Sequence, residues 1–143
     1  MFAVITFLAA AAIQTAAELG RATERYEPAG RTFDITVRIT QPPYRTRGNF
    51  FAEDATGAIE LNTFPGDWMK IRFGDVYRFK GITQVLTNRI GIVHADCRAA
   101  EFLRHESAPD PLKVSANDFL SGKCLFRHVT LDGTMRNVFR DEI

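Results

Sequence analysis

The sequence predicts an all-β fold, a five-stranded barrel with short flanking helices, and three observations carry that expectation. From Thr32 onward the apolar spacing drops from a helical period to a period of two. Gly, Pro, Asn and Asp turn signals then break the chain at intervals of about eight to twelve residues. Five short strands in about seventy residues suit a small cylinder, because closure removes the exposed edges that so small a sheet would present.

In Phe33-Asp34-Ile35-Thr36-Val37-Arg38-Ile39-Thr40, the residues Phe33, Ile35, Val37 and Ile39 share one face. Asp34, Thr36, Arg38 and Thr40 share the other, the pattern of a half-buried strand. Residues 41–48, QPPYRTRG, read as a loop, since two prolines cannot donate to a sheet ladder. Asn49 to Asp54 reads as a second strand and Ala55-Thr56-Gly57 as a tight turn. Ala58 to Phe64 reads as a third strand, with Ile59, Leu61 and Thr63 on one side, broken by Pro65-Gly66-Asp67. Trp68 to Phe73 is a short piece without an assigned element. Gly74-Asp75 turns into a fourth strand, Val76 to Gly81, with Tyr77 and Phe79 inward and Arg78 and Lys80 outward. A fifth follows Thr87-Asn88, with Ile90, Ile92 and Val93 as its apolar content, and Ala95 to His105 is left unassigned.

The segments on either side are different in kind. Phe2 to Ile13 is an uncharged apolar run followed by small residues. It is shorter than the ~18 residues of a membrane-spanning helix and fits the hydrophobic region of an export signal, although no Lys or Arg follows Met1. A buried N-terminal helix is the other reading. Residues 14–30 read as a short helix capped by Thr15, with Glu18 at capping-box spacing, stopped by Pro28 and Gly30. Residues 106–111, ESAPDP, are a linker by composition. Ser115 caps a second short helix with Asp118 in its first turn, and Val129 to Met135 reads as a strand. The order helix, turn, strand therefore occurs twice: Thr15-Ala16-Ala17-Glu18-Leu19 parallels Ser115-Ala116-Asn117-Asp118-Phe119. The expected organisation is a leader over 1–17, the barrel over 18–105, a linker and helix over 106–122, and a truncated first strand of a second module over 123–143. The alternative for that last strand is pairing with the first barrel.

Composition narrows the function classes. The net charge is +1, with 18 basic and 17 acidic side chains, which disfavours an obligate polyanion binder. Residues 31–105 carry 11 Lys and Arg against 8 Asp and Glu, too small an excess to reverse that. Cys97 and Cys124 are too far apart for a C-x-x-C motif, and are either two free thiols or one disulfide. The three histidines are scattered, so no metal site is expected. Glu53 and Asp54 are adjacent on a strand and point to opposite faces, so they cannot act as a catalytic pair. Asp54 and Asp75 read as turn residues. With no P-loop and no dinucleotide fingerprint, neither an enzyme nor a cofactor is expected.

Candidate ligand contacts are aromatic and basic residues that could converge on one rim. They are Tyr44, Arg45 and Arg47 in the first loop, Trp68, Lys70 and Arg72 after the third strand, and Arg89 between the last two strands. Aromatics stack on bases or rings and cations meet phosphates or carboxylates. The bland alternative is a solvated basic rim with Trp68 packed as a plug.

Asn49 to Ile59, with Asp54-Ala55-Thr56-Gly57-Ala58-Ile59, resembles the F-x-x-x-D-x-T-G-x-I hairpin of bacterial OB-fold domains. Phe73 to Gly81 resembles their G-D-x-V-x-V-x-G strand, and Pro111 to Gly122 is similar to the linker between tandem OB-like modules of bacterial sensor histidine kinases. Val138 to Ile143 resembles the loop after the first strand of such modules. The resemblance covers roughly residues 14–143. It implies an exported, periplasmic or extracytoplasmic binding or sensing module of a two-component receptor, with an unidentified ligand or protein partner. It lacks a kinase core and phospho-acceptor His motif. The competing expectation is a cytoplasmic single-stranded nucleic-acid binder; a membrane enters only through the leader or a remainder of the gene. A small hydrolase with an undetected site ranks last.

Overall fold

Alternation does build the strands, and a computed structural model shows where they run. It describes residues 11–43, 48–85, 91–107 and 110–133. The first strand, β1 (Thr32–Gln41), buries Phe33, Ile35, Val37 and Ile39 at 2% exposure or less. It is followed by β2 (Phe50–Glu53), β3 (Ala58–Leu61), β4 (Asp75–Val85) and β5 (Val93–His105). The five form one antiparallel sheet in the order β3-β2-β1-β4-β5. On β4, Tyr77 and Phe79 face in while Arg78 and Lys80 face out, as the period of two requires.

Three expectations change. The third strand stops at Leu61: Thr63 adopts φ 58°, a left-handed conformation costly for a β-branched residue, and is exposed. The fourth strand runs four residues past Gly81. The fifth begins at Val93, and its body is the unassigned stretch up to His105. That stretch hides from periodicity because β5 carries irregularities opposite Val76/Tyr77 and Lys80/Gly81, each of which throws the alternation out of phase. Beyond Cys97 it is also mostly solvated, so its sequence lacks an apolar face to read.

The same irregularities bend the sheet, bringing its two edges together at a single point. Asn62 forms a parallel bridge with Asp96: the Asn62 amide donates to the Ala95 carbonyl at 2.9 Å, and the Cys97 amide donates to the Asn62 carbonyl at 3.0 Å. No ladder of the sheet extends it, so the five strands are not closed into a barrel. The left-handed turn at Thr63 takes the chain away from β5 one residue after the bridge. The remaining edge of β5 carries Arg98, Glu101 and Arg104, charges that discourage edge-to-edge pairing.

Helix α1 (Ala16–Ala22) is part of this fold. The Thr15 hydroxyl accepts from the Glu18 amide at 3.2 Å, and the Glu18 carboxylate accepts from the Gln14 amide at 3.2 Å. The helix ends at a Thr23 cap, well before Pro28. Ala16, Leu19 and Ala22, spaced three apart, are buried at 1% exposure or less and join the core cluster beside Ile59 and Leu61. Ile13, just upstream, pairs in parallel with Phe33 and is also core. A leader extending to Ala17 would thus include two core residues, Ile13 and Ala16. Inside, Phe50, Phe64, Tyr77 and Phe79 form an aromatic cluster with ring centroids 5.3 to 5.8 Å apart. Burying each such ring contributes ~1.5–3 kcal/mol. Cys97 and Cys124 are both free thiols. Burial, with the Asp96 charge beside it, pushes the Cys97 thiol far above its ordinary range, so it stays protonated and inert.

The remaining elements are β6 (Leu112–Lys113), α2 (Ala116–Leu120) and β7 (Val129–Thr130). The Ser115 hydroxyl accepts from the Asp118 amide at 3.1 Å, as the capping pattern requires. Strand β7 is two residues long and pairs in parallel with β6, not with the five-stranded sheet. Met135 and Val138 to Ile143 lie outside the described residues.

Candidate functional site

The site is built from the register of β4 and β5. Asp75 opens β4 and stands directly opposite His105, the last residue of β5. Asp75 is 5% exposed. One of its carboxylate oxygens accepts from the Arg72 amide at 2.8 Å, which shapes the turn that sequence had assigned to it. Gly74 fits this turn with φ +90°, and a side chain there would strike the Glu106 carbonyl. The other oxygen lies 2.8 Å from His105 Nδ1. A buried carboxylate on Nδ1 fixes the imidazole plane and leaves Nε2 as the free ring nitrogen.

Asp75 and His105 border a cleft of about 590 Å³, lined also by Met69, Lys70, Arg72, Tyr77 and Phe102. The 3₁₀ turn Trp68–Lys70, capped by Asp67 through the Met69 amide at 3.2 Å, presents Met69 and Lys70. Met69 is 74% exposed and Phe102 54%, although both are large and apolar. Phe102 rests edge-on against Tyr77, with centroids 5.4 Å apart. Burial, helped by the Asp75 charge, raises the Tyr77 hydroxyl above its ordinary range, so it remains a neutral group. The cleft therefore offers apolar and aromatic surface beside two cations and a histidine, with one carboxylate already engaged. Such a mixture can hold a flat or apolar group and an attached anion.

The arginines of the strands are matched. On the outward face Arg78 grips Asp34 through two bonds of 2.7 and 2.8 Å, and Arg38 meets Glu53 at 2.7 Å. Arg98 meets Asp96 at 2.6 Å and Arg104 meets Glu106 at 2.6 Å. In the Asp34 pair, the Arg78 guanidinium holds the carboxyl below its usual range. Arg72, by contrast, has no ion pair among the described residues, and Lys70 has only a loose contact with Asp67 at 3.3 Å.

Lys70 and Arg72 thus line one cleft. Trp68 does not: it is half-buried and packs against the core cluster, as the plug alternative expects. Tyr44, Arg45, Arg47 and Arg89 lie outside the described residues. The residues that sequence reasoning missed are Asp75 as a histidine partner, His105, Tyr77, Phe102 and Met69. Their only signal was the Gly-Asp turn, because Asp75 and His105 meet through a strand register that the sequence leaves open. No group of three or more His, Cys, Asp or Glu residues suited to a metal occurs among the described residues. No helix among them is long and apolar enough to cross a membrane. No family model, curated protein or solved structure matches the chain.

Proposed function

We propose that this chain is an exported, non-catalytic binding module of the OB type, and that its ligand is a small organic anion with an aromatic or apolar part. The observation that carries the reading is the cleft between the 3₁₀ turn and the β4–β5 ends, where Arg72, without an ion pair among the described residues, and Lys70, only loosely paired with Asp67, adjoin exposed Met69 and Phe102. Lys70 and Arg72 meet the anion, His105 held by Asp75 contributes a directed hydrogen bond, and Tyr77 and Phe102 contact the ring. The OB assignment is supported by five strands bent until their edges touch at Asn62 and Asp96, since OB barrels are partly open. Export is supported by the apolar run of residues 2–13. Because Ile13 is core, an export cleavage compatible with this fold falls at or before Ala12, and intact mass of the secreted chain reads that position.

Single-stranded nucleic acid is the weaker reading. A strand needs a track of cations, and four arginines of the sheet are already paired with carboxylates. Calorimetric titration with an aromatic carboxylate, a nucleoside monophosphate, inorganic phosphate and a short oligonucleotide separates the readings. The proposal expects binding of at least one ring-bearing anion, weakened about tenfold by Arg72→Ala or Lys70→Ala, since one charge-assisted hydrogen bond is worth about 1.4 kcal/mol or more. Binding of the oligonucleotide alone, with a steep salt dependence, overturns it. So does ring-anion binding that both substitutions leave unchanged.

A further inference from the structure

The tautomer of His105 follows from its partner. An ionised carboxylate has only acceptor atoms, so a ring nitrogen that bonds to it must carry a hydrogen. Both oxygens of Asp75 are in use. Oδ2 accepts from the Arg72 amide at 2.8 Å, and Oδ1 lies 2.8 Å from His105 Nδ1. Nδ1 therefore keeps its hydrogen in both charge states of the ring. A neutral imidazole has a single N–H, so in that state Nε2 is left with a lone pair. Nε2 gains a hydrogen only when the ring becomes an imidazolium. The side chain of His105 is 56% exposed, so the ring exchanges protons with water.

The surrounding charges give this proton a direction. From β4, Asp75 and Tyr77 line the cleft with His105, and from the chain between Trp68 and Gly74, Lys70 and Arg72 do so. Tyr77 stays neutral, because burial and the Asp75 charge oppose its ionisation. On β5 and just past it, Arg104 and Glu106 flank His105 in the chain, but they pair with each other at 2.6 Å, and Glu106 also reaches Arg38 at 3.6 Å. Lys70 and Arg72 against Asp75 leave the lining with one positive charge when the ring is neutral and two when it is protonated. An anion in the cleft meets a lone pair on Nε2 in the first state and a charged N–H donor in the second. Hydrogen bonding and net charge thus favour the same state.

We propose, on the reading of this cleft as an anion site, that it binds its anion together with a proton carried on His105 Nε2, filling as pH falls and emptying as pH rises. The proton comes from water, and no covalent bond to the ligand forms. By linkage the anion is held tightly where the ring is charged, and affinity declines as pH rises through the span of roughly pH 5 to 8 in which histidines titrate. The neutral ring still accepts a hydrogen bond, so at the upper end of that span the cleft favours a neutral ligand with a donor over an anion.

The test needs a ligand whose own charge is constant. Phosphates are unsuitable, because their second ionisation falls near about pH 6. An aromatic sulfonate keeps its negative charge throughout. Calorimetric titration is expected to show it bound about tenfold more tightly at about pH 5.5 than at about pH 8, the worth of one hydrogen bond to a charged group. The measured heat is expected to differ between buffers of high and low ionisation enthalpy, because a proton is taken up. His105→Asn retains an N–H for Asp75 but cannot titrate, and is expected to bind equally weakly at both pH values. Lys70→Ala is expected to weaken binding at both and to keep their ratio. Nitrogen-15 NMR of the unliganded protein at the higher pH is expected to find the ring hydrogen of His105 on Nδ1. A neutral ring with its hydrogen on Nε2 overturns the proposal without any ligand. Sulfonate affinity that is the same at both pH values overturns it while leaving the anion cleft standing, as does a pH ratio that survives His105→Asn. Absence of sulfonate and aromatic carboxylate binding at both pH values overturns the anion reading of the cleft, and the coupled proton with it.

Discussion

Asp54 joins the sheet to the helix, and replacing it separates two jobs. Its Oδ1 accepts from the Thr56 amide at 2.7 Å, the Thr56 hydroxyl at 2.5 Å and the Gly57 amide at 3.1 Å, holding the hairpin turn. Its Oδ2 accepts from the Ala16 amide at 2.7 Å, an otherwise unpaired donor in the first turn of α1. Asp54→Ala removes both sets. A hydrogen bond to a charged acceptor is worth ~1.5–3 kcal/mol when buried, and this carboxylate is only half-buried, so the expected loss is ~3 kcal/mol in all. Asp54→Asn keeps the turn oxygen but sets an amide group against the Ala16 donor, and is expected to lose about half as much. For a chain of this size that is a fall in Tm of about 10 °C for Ala and about 5 °C for Asn. Urea unfolding followed by the fluorescence of Trp68 gives the free energies.

The pH dependence is a second readout of the same residue. Partial burial alone would raise the Asp54 carboxyl, but the bonds donated by Thr56, Ala16 and Gly57 outweigh it and hold it below the ordinary range. A carboxyl lowered on folding stabilises fully above its unfolded value near 4 and loses that contribution as pH falls through the folded value. The gap between wild type and Asp54→Ala is therefore expected to stay constant from pH 7 to about 5 and to narrow below about 4. A loss under about 0.5 kcal/mol at pH 7, or a gap unchanged down to pH 2.5, refutes the reasoning.

Two further substitutions test the packing. Gly81→Ala is expected to prevent folding of the sheet, because its Cβ would overlap both the Asp96 carbonyl and the Phe33 ring; a soluble variant with native circular dichroism contradicts this. Trp68→Ala is expected to lose ~2 kcal/mol by removing a ring packed on the core while leaving anion affinity unchanged, since Trp68 does not line the cleft; calorimetry at a temperature where the variant is folded checks the second part.

What could be read without coordinates was what repeats locally. The alternation at Phe33, Ile35, Val37 and Ile39 states a buried face, and the hydroxyls of Thr15 and Ser115 state where helices begin, because each depends on residues within one turn or one strand. The Asp54 turn was legible for the same reason, but its second bond, to Ala16 across 38 residues of chain, was not. The body of β5 escaped notice because its two irregularities break the period and its outer half has no buried face.

The candidate site lies on the far side of that divide. Lys70 and Arg72 were visible as cations near a turn, yet their neighbours His105, Phe102 and Tyr77 come from strands whose offset no local pattern specifies. Asp75 meets His105 only because β4 and β5 pair in a register that two irregularities have shifted. The sequence alone determined which side chains of β1 and of the first half of β4 face inward and where the two helices start, since those follow from bond geometry between near neighbours. Only the tertiary structure decided that the sheet's edges touch without closing, that α1 is core, and that an aspartate and a histidine 30 residues apart share one cleft, since these follow from the sum of weak long-range contacts.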